Sequence, residues 1–282
     1  MLYSLIIYVT GFLAAITFPH GYVSWFGKQH VILALALFDL FVISFPKFFI
    51  ASVWSVGTLL ADKHSTRMEL ADKVVPDLLK AAATGTSQDV VAAAAVLSKW
   101  DHNTNADSRG AVLFQLFFEN YFAGKPVDSL LRVHWNPSEP LNSEYGLANP
   151  AEALKSLAAA AQTCRKLYGT LEVPWGEVFR FASGKADLPG NGADGSVGVF
   201  RTIQFGRKEG NKRYASSGET FVCAIEFART QRANCLLSYG NASQHGSPHL
   251  EDQLPLLAAR KLHPVWRDKA EVKAHLELRE TF

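Results

Sequence analysis

Residues 238–253 read SYGNASQHGSPHLEDQ and contain three serines, two histidines and two carboxylates. These are the residue types of a nucleophile, a base and an orienting acid, and Ser247, His249 and Asp252 are the candidate triad. Such a triad is defined by geometry, and three members crowded into one loop are poorly placed to align. We therefore interpret these side chains as partners for backbone groups in a closing loop. Alanine at Ser247 or His249 is expected to harm folding before catalysis.

The overall composition is that of an ordinary folded protein. The 282 residues carry a net charge of +2 without a basic stripe, so nucleic-acid binding is not indicated. The three cysteines are too few for a disulfide scaffold and fit no metal-binding spacing. Cys223 and Cys235 lie in neighbouring strand-like runs and could meet. We interpret them, like Cys164, as buried free thiols.

The N-terminal part of the chain has a different character from the rest. Met1 to Phe18 carries no charged residue, and Val31 to Phe45 is nearly as apolar. Each run is slightly short or interrupted for a membrane span of about 20 residues. The basic start of a signal peptide is missing as well. We predict that residues 1–57 form an apolar segment, either membrane-associated or frame-disrupted, and that residues 58–282 form a folded region.

Within the folded region, residues 58–170 are predicted to be helical and residues 171–282 to form strands and a closing loop. This order of elements indicates an α+β architecture. The expected helices are one over 60–83 interrupted by Pro76, one capped by Thr86 and Asp89, one capped by Asp107, one bounded by Asn149, Pro150 and Gly169, and a short one capped by Asp268. The runs expected to form an antiparallel meander are Val197–Phe205, Thr220–Ala228 and Cys235–Tyr239.

Three further patterns resemble binding sites only in part. Gly190 to Gly195 matches G-x-G-x-x-G but leads into a strand, so we predict a flexible surface loop there. Asp101 to Asp107 has alternating oxygen ligands but lacks the glycine and glutamate of a calcium loop. His245 and His249 are four residues apart, but Gly246 and Pro248 break the helical spacing that a zinc site would use. The patterns therefore predict no cofactor or metal site.

The order of motifs along the folded region resembles the C-terminal part of the β-chain of penicillin-amidase-type acylases. The likeness is greatest to the branch that contains aculeacin A acylase and the acyl-homoserine-lactone acylases. The matching stretches, in family order, are Ser65–Asp72, Val75–Leu79, Leu97–Asp101, Asp107–Ala111, Pro174–Val178, Gly198–Phe200, Ser217–Val222, Tyr239–Ser243 and Ser247–Gln253.

This resemblance implies an N-terminal-nucleophile hydrolase with an αββα core, cut from one precursor into α- and β-chains. In such enzymes the first serine of the β-chain attacks a linear amide, with its own α-amino group as base and an asparagine and a backbone amide holding the oxyanion. Known substrates are acyl-homoserine lactones, lipopeptides and β-lactams, which links the family to quorum quenching and antibiotic metabolism. The resemblance also implies a periplasmic or secreted location.

No residue of this sequence matches the family's nucleophile, oxyanion asparagine or calcium ligands. The resemblance therefore assigns this chain no catalytic, cofactor-binding or metal-binding residue, and intact relatives bind calcium through residues absent here. We predict an acylase fragment that is inactive alone and whose partners are the missing α-chain and the N-terminal part of the β-chain. The alternatives are a membrane-anchored binding or interaction module and one part of a split acylase.

The fragment hypothesis also predicts marginal stability for residues 58–282. Strands taken from a larger layered sheet expose apolar side chains when neighbouring strands are missing. The side chains expected to need partners from absent strands are Val199, Ile203, Val222, Ile225 and Leu237.

Overall fold

The computed structural model describes residues 56–85, 87–227 and 231–276. Helices dominate the first part of these residues and strands the second, as the predicted α+β class requires. The α-helices are α1 (Val56–Lys63), α2 (Glu69–Ala82), α3 (Gln88–Leu97), α4 (Ala111–Tyr121), α5 (Pro150–Tyr168), α6 (Trp175–Val178), α7 (Leu254–Ala259) and α8 (Lys269–Ala274). The strands are β1 (Leu131–Val133), β2 (Tyr145–Leu147), β3 (Phe179–Ser183), β4 (Ala186–Pro189), β5 (Ile203–Gln204), β6 (Arg207–Glu209), β7 (Lys212–Tyr214), β8 (Ser217–Gly218), β9 (Phe221–Glu226), β10 (Arg232–Leu237) and β11 (His263–Val265).

The apolar runs near the N-terminus lie outside the described residues, and the domain boundary near residue 57 stays a prediction. Among the residues that the structure does describe, no helix is long and apolar enough to cross a membrane.

The helix expected over 60–83 is interrupted earlier than predicted. Pro76 lies inside α2, and the break falls between α1 and α2 instead. There Thr104 donates its amide to the Thr66 carbonyl at 2.9 Å, and Met68 donates to the His102 carbonyl at 2.8 Å. These bonds to a distant loop replace helical bonds, so tertiary pairing and not proline chemistry sets the boundary.

The prediction that Asp107 caps α4 is wrong. The N-cap residue is Gly110, at a φ of 110° that favours glycine. Residues just before it pair with the segment that precedes α6: Trp175 donates its amide to the Ser108 carbonyl at 3.0 Å, and Arg109 forms a β-bridge with Pro174. This pairing holds the chain extended past Asp107 and delays the start of the helix.

The helix ends predicted at Asn149, Gly169 and Asp268 are confirmed. Asn149 accepts the amide of Glu152 at 3.1 Å, and Gly169 ends α5 at a φ of 73°, as predicted. Asp268 likewise caps α8 by accepting the amide of Ala270 at 2.8 Å. Thr86 lies outside the described residues, and Ser87 occupies the N-cap position of α3 without a side-chain bond.

The core is built around α5, which packs against α2, α3 and α4. Its buried face includes Leu157 and Cys164, and the aromatic side chains of α4 fill the space opposite. A second, smaller cluster joins strands to α7 through Phe181, Ile203, Leu236, Leu254 and Leu257. Phe205 contacts both clusters, so the two apolar layers are continuous.

The strands form small sheets and not the single meander that we predicted. One sheet has the order β4-β3-β7-β6, with β3 and β7 parallel, and another has the order β11-β10-β9. The pairing of the second and third predicted runs is confirmed, because β9 and β10 are antiparallel neighbours. The first run contributes only the two-residue β5, which pairs with β8.

Cys223 and Cys235 are directly opposite each other on β9 and β10 and form a disulfide. The interpretation of these two residues as free thiols is therefore wrong, because strand register brings them together. Cys164 is free and buried, as predicted.

The expectation that five apolar side chains lack partners holds for only two of them. Val199, Ile203 and Val222 are buried within the chain, the first in the main core cluster and the second in the smaller one. Ile225 and Leu237 are 48% and 38% exposed. The expected marginal stability stays a prediction.

Candidate functional site

The closing loop brings the side chains of His249 and Asp252 into contact and uses Ser247 as a cap for the backbone. His249 Nδ1 lies 2.8 Å from Asp252 Oδ2. The Ser247 hydroxyl oxygen accepts the backbone amide of His249 at 3.2 Å and so caps the 3₁₀ turn Pro248–Leu250. A nucleophilic serine would instead bond its hydroxyl to the imidazole. The geometry that the structure gives Ser247 is that of a helix cap.

Gln253 holds the closing loop against the three-stranded sheet. Its buried side chain accepts the amide of Leu237 at 2.8 Å and donates to Asn241 Oδ1 at 2.9 Å. Its backbone amide donates to the Tyr239 carbonyl at 2.9 Å. The polar residues of the motif therefore satisfy one another and the end of β10.

The motif has a glycine at position 240 because there is no space for a side chain there. A Cβ at that position would lie 2.1 Å from the carbonyl oxygen of His249 and 2.9 Å from Asp252 Oδ1. The close approach of the two backbone segments lets Ala242 donate its amide to the same carbonyl at 3.1 Å. The loop can close in this way only around a residue without a side chain.

The Gly190–Gly195 loop is not the flexible surface loop that we predicted. Residues 190–193 are buried, and Gly192 has a φ of 83°. A Cβ at Gly190 would lie 2.7 Å from the Phe179 carbonyl, and one at Gly192 would lie 2.6 Å from the Arg201 carbonyl. These glycines allow close packing of backbone against backbone, and the loop continues into a 3₁₀ turn whose first amides are capped by Asp194.

The oxygen-rich stretch from Asp101 to Asp107 is occupied by bonds within the protein. Asp101 accepts the amide of Asn103 at 3.0 Å. Asn105 Oδ1 accepts the Thr66 hydroxyl at 2.9 Å and Arg260 Nη1 at 3.0 Å. In the part of the chain that the structure describes, no group of three or more His, Cys, Asp and Glu side chains could hold a metal ion.

The densest group of charges inside the fold is one that the motifs did not predict. We call Lys63, His64, Arg201 and Glu219 the buried ion cluster. Arg201 is fully buried, its Nη1 lies 3.0 Å from Glu219 Oε2, and Lys63 also pairs with Glu219. Arg201 Nη2 donates to the Leu257 carbonyl at 2.8 Å. The cluster thus joins the end of α1 to β8 and α7.

Within this cluster, His64 has a lowered pKa. Burial, followed by the positive charge of Arg201, holds the pKa of His64 below its usual value. The negative charge of Glu219 opposes this effect only in part. Glu219 faces two cations, Lys63 and Arg201, so a protonated His64 would add a third. His64 is therefore held in its neutral form.

Several polar atoms of the cluster have no hydrogen-bond partner among the described residues. They include His64 Nε2 and Arg201 Nε. Arg201 Nη1 and Glu219 Oε2 form an ion pair without a hydrogen bond between them. The cluster contains no hydroxyl or thiol nucleophile, and its observed contacts join segments of the fold.

Sequence reasoning missed this cluster because its charges are isolated along the chain. His64 precedes one matching stretch, Arg201 follows another, and Glu219 lies in a third. The one sequence feature that could have indicated the cluster is that these residues lie in or beside the stretches Ser65–Asp72, Gly198–Phe200 and Ser217–Val222. No spacing rule connects His64 with Arg201, which lies more than 130 residues further along the chain.

Comparison with known proteins relates this chain to the penicillin amidase family and to acylases. The model of the penicillin amidase family matches residues 50–274. Acyl-homoserine lactone acylase PvdQ of Pseudomonas putida is 32% identical over 218 residues, which are 75% of this chain and 27% of that protein. Aculeacin-A acylase of Actinoplanes utahensis is 25% identical over 245 residues, which are 81% of this chain and 29% of that protein.

A solved structure, that of a thermostable penicillin G acylase from Alcaligenes faecalis, aligns with 77% of this chain and 47% of its own, at a TM-score of 0.40 and 15% identity. The chain spans only about a quarter of the length of the curated relatives that it matches.

Proposed function

The chain belongs to the penicillin amidase family, and we propose that it is the closing part of an acylase that hydrolyses linear amides. In this proposal the chain does not perform the hydrolysis alone. The nucleophilic serine, its α-amino base and the oxyanion donors come from acylase polypeptide outside these 282 residues. The proposal assigns no catalytic, cofactor-binding or metal-binding residue to this chain.

The observation that carries the proposal is the extent of the match. The family model covers residues 50–274, yet that part corresponds to about a quarter of each curated relative. The geometry of the closing loop supports the same conclusion, because the hydroxyl oxygen of Ser247 accepts the backbone amide of His249 as a helix cap does. The contribution of this chain is structural: it supplies helices, strands and a closing loop to a partial αββα fold.

The proposed substrates follow the names of the relatives. One relative is an acyl-homoserine lactone acylase and another is an aculeacin-A acylase. We therefore include acyl-homoserine lactones and lipopeptides, with β-lactams as a third class from the wider family. All three carry an amide whose carbonyl develops negative charge in the transition state, which is the chemistry that an oxyanion hole stabilises.

A periplasmic or secreted location forms part of the proposal. The disulfide between Cys223 and Cys235 supports it, because disulfides persist in oxidising compartments and are rare in the cytosol.

The direct test is hydrolysis by the purified chain of acyl-homoserine lactones and penicillin G. We expect no turnover above the spontaneous rate, while the Pseudomonas putida acylase assayed in parallel confirms that the conditions support hydrolysis of its lactone substrates. Robust turnover by this chain would show that the proposal is wrong.

If turnover were found, Ser247→Asp would identify its source. An aspartate at this position can still accept the amide of His249, since Asp and Ser are comparable N-cap residues, but it removes the hydroxyl. Loss of turnover in Ser247→Asp together with an unchanged melting temperature would make Ser247 the nucleophile. Retained turnover would exclude it.

A further inference from the structure

The three-stranded sheet has an apolar face that the described residues leave open. Directly opposite residues on antiparallel strands point to the same side. Phe221 pairs with Leu237, and Ala233 pairs with both Ile225 and Val265. Phe221 is 62% exposed, and Ile225, Leu237 and Val265 are each at least 38% exposed. We call this side, defined by Phe221, Ile225, Leu237 and Val265, the open sheet face.

The other side of the same sheet is buried where it covers the small core cluster, whereas Glu226 and Arg232 at its end are exposed. Val222, Ala224 and Leu236 alternate with the open-face residues, and each is at most 5% exposed. Leu236 packs in the small core cluster beneath the sheet. In an antiparallel sheet with one buried side, the solvated side is normally polar. Here the outward side also carries apolar side chains, so the part of the sheet that covers the core is apolar on both sides.

The open sheet face is a contiguous apolar patch that spans all three strands. Two strands of six residues and one of three, with a rise of about 3.4 Å per residue and a spacing near 4.8 Å, give a surface of roughly 250 Å². The largest apolar patch on a typical soluble protein measures about 300–600 Å² and is often functional, so a patch that approaches this size is a candidate for the centre of a contact. The disulfide between Cys223 and Cys235 lies within this surface, between the Phe221–Leu237 and Ile225–Ala233 pairs, and links the two strands that carry most of it.

We propose that the open sheet face is the docking surface for the polypeptide that carries the rest of the acylase. The inference rests on the proposed function and identifies where that partner binds. Phe221 lies within residues 50–274, the part that matches the family model. In the curated relatives this matching part is joined to about two and a half times as much additional chain. The side chains that would form an inner layer there are the ones that are exposed here.

The partner is therefore expected to present a complementary apolar surface, as obligate interfaces and domain cores do. A charge placed in the centre of such a contact would be buried without a counter-ion, which is costly. A charge placed on an exposed side chain elsewhere would leave the contact unchanged.

The test uses the full 282-residue chain, carrying an affinity tag, and one defined probe. The probe is the Pseudomonas putida acyl-homoserine lactone acylase without its matching 218-residue segment, expressed in the same cells. We expect the probe to co-purify with the tagged chain in a one-to-one complex. The double variant Phe221→Lys/Ile225→Lys should lower recovery of the probe by about tenfold or more, the scale of a lost hot spot.

The matched control is Val91→Lys. Val91 lies on α3, outside the open sheet face, and is 53% exposed. It should recover as much probe as the unaltered chain. Val265→Lys, on β11, provides an independent change to the face and should also lower recovery. Melting temperatures within a few degrees of the parent chain would show that each variant is folded.

The proposal is overturned if the unaltered chain recovers no probe, or if the face and control variants recover it equally. A second outcome also overturns it: light scattering shows a stable dimer of this chain, Phe221→Lys/Ile225→Lys dissociates that dimer, and no probe binds. The open sheet face would then be occupied by a second copy of the chain. Binding is scored without regard to hydrolysis. A complex that forms but does not hydrolyse amides would contradict the proposed function and leave the docking surface in place.

Discussion

Arg201 Nη1 lies 3.0 Å from Glu219 Oε2, and the two side chains are 0% and 5% exposed. Lys63 approaches the same carboxylate from the end of α1. A buried carboxylate that neutralises two cations matters chiefly because its loss leaves them uncompensated. Loss of either partner should therefore destabilise this region strongly, although the intact pair adds little net stability.

Glu219→Gln is expected to lower the free energy of unfolding by about 3–5 kcal/mol, the usual cost of removing one partner from a buried pair. Urea denaturation followed by circular dichroism would measure it. Glu209→Gln is the control, because the Glu209–Arg207 pair at 3.4 Å is more than half exposed on both sides. Its effect should stay within about 0.5 kcal/mol.

The double variant Arg201→Met/Glu219→Leu separates a charge effect from a packing effect. Removing both charges leaves only Lys63 without its partner, and the Lys63 side chain is 33% exposed to water, so the double variant should recover much of the stability that Glu219→Gln loses. A double variant that is less stable than Glu219→Gln would contradict this account.

His64 makes stability depend on pH. Burial and the charge of Arg201 hold its pKa in the folded protein below the usual value of 6.5. As the pH falls, the unfolded chain therefore takes up a proton before the folded chain does. The contribution of His64 is complete above about pH 6.5 and decreases as the pH falls toward its lowered value in the folded state.

His64→Gln should remove this contribution and flatten the unfolding free energy between about pH 7.5 and 5.5, a range that brackets the usual histidine pKa. The overall stability of the variant can change, but the measured quantity is the slope with pH. His245→Gln is the control, because His245 is exposed and should leave the slope as in the parent chain. An equal slope in His64→Gln and the parent chain would assign the pH dependence to other groups.

Gly240→Ala should destabilise the closing loop. Its Cβ would lie 2.1 Å from the His249 carbonyl oxygen, so backbone must move to admit it. Overpacking of this kind costs about 1–3 kcal/mol. Gly195→Ala is the control, because its Cβ would meet nothing closer than 3.4 Å. Equal midpoints of urea unfolding for the two variants would show that the loop relaxes without cost.

The sequence predicted those features that depend on neighbouring residues. Asn149, Gly169 and Asp268 mark helix ends because a cap is a bond between a side chain or an αL residue and amides within one turn. The closing motif likewise identified the family, since its glycine and polar residues serve one local loop. Such signals do not depend on the rest of the fold.

Long-range pairing decided the features that the sequence did not predict. Asp107 fails as a cap because Ser108 and Arg109 pair with residues 174 and 175. The buried ion cluster assembles from positions 63, 64, 201 and 219, and no periodicity connects them. The Gly190–Gly195 loop was assigned to the surface from composition, although its glycines serve close contact with distant backbone.

The cysteines provide a prediction that tests strand register directly. Cys223 and Cys235 are opposite residues on β9 and β10, so the folded chain places both thiols together and an oxidising compartment joins them. Cys164 is buried in α5, and burial raises the pKa of its thiol to about 11, which keeps it unreactive in the folded protein. Chain secreted into the periplasm and then denatured without reductant should therefore show one reactive thiol, and three after reduction. Cys164→Ser should show none before reduction, whereas three thiols in the unreduced parent chain would mean that β9 and β10 do not pair in this register.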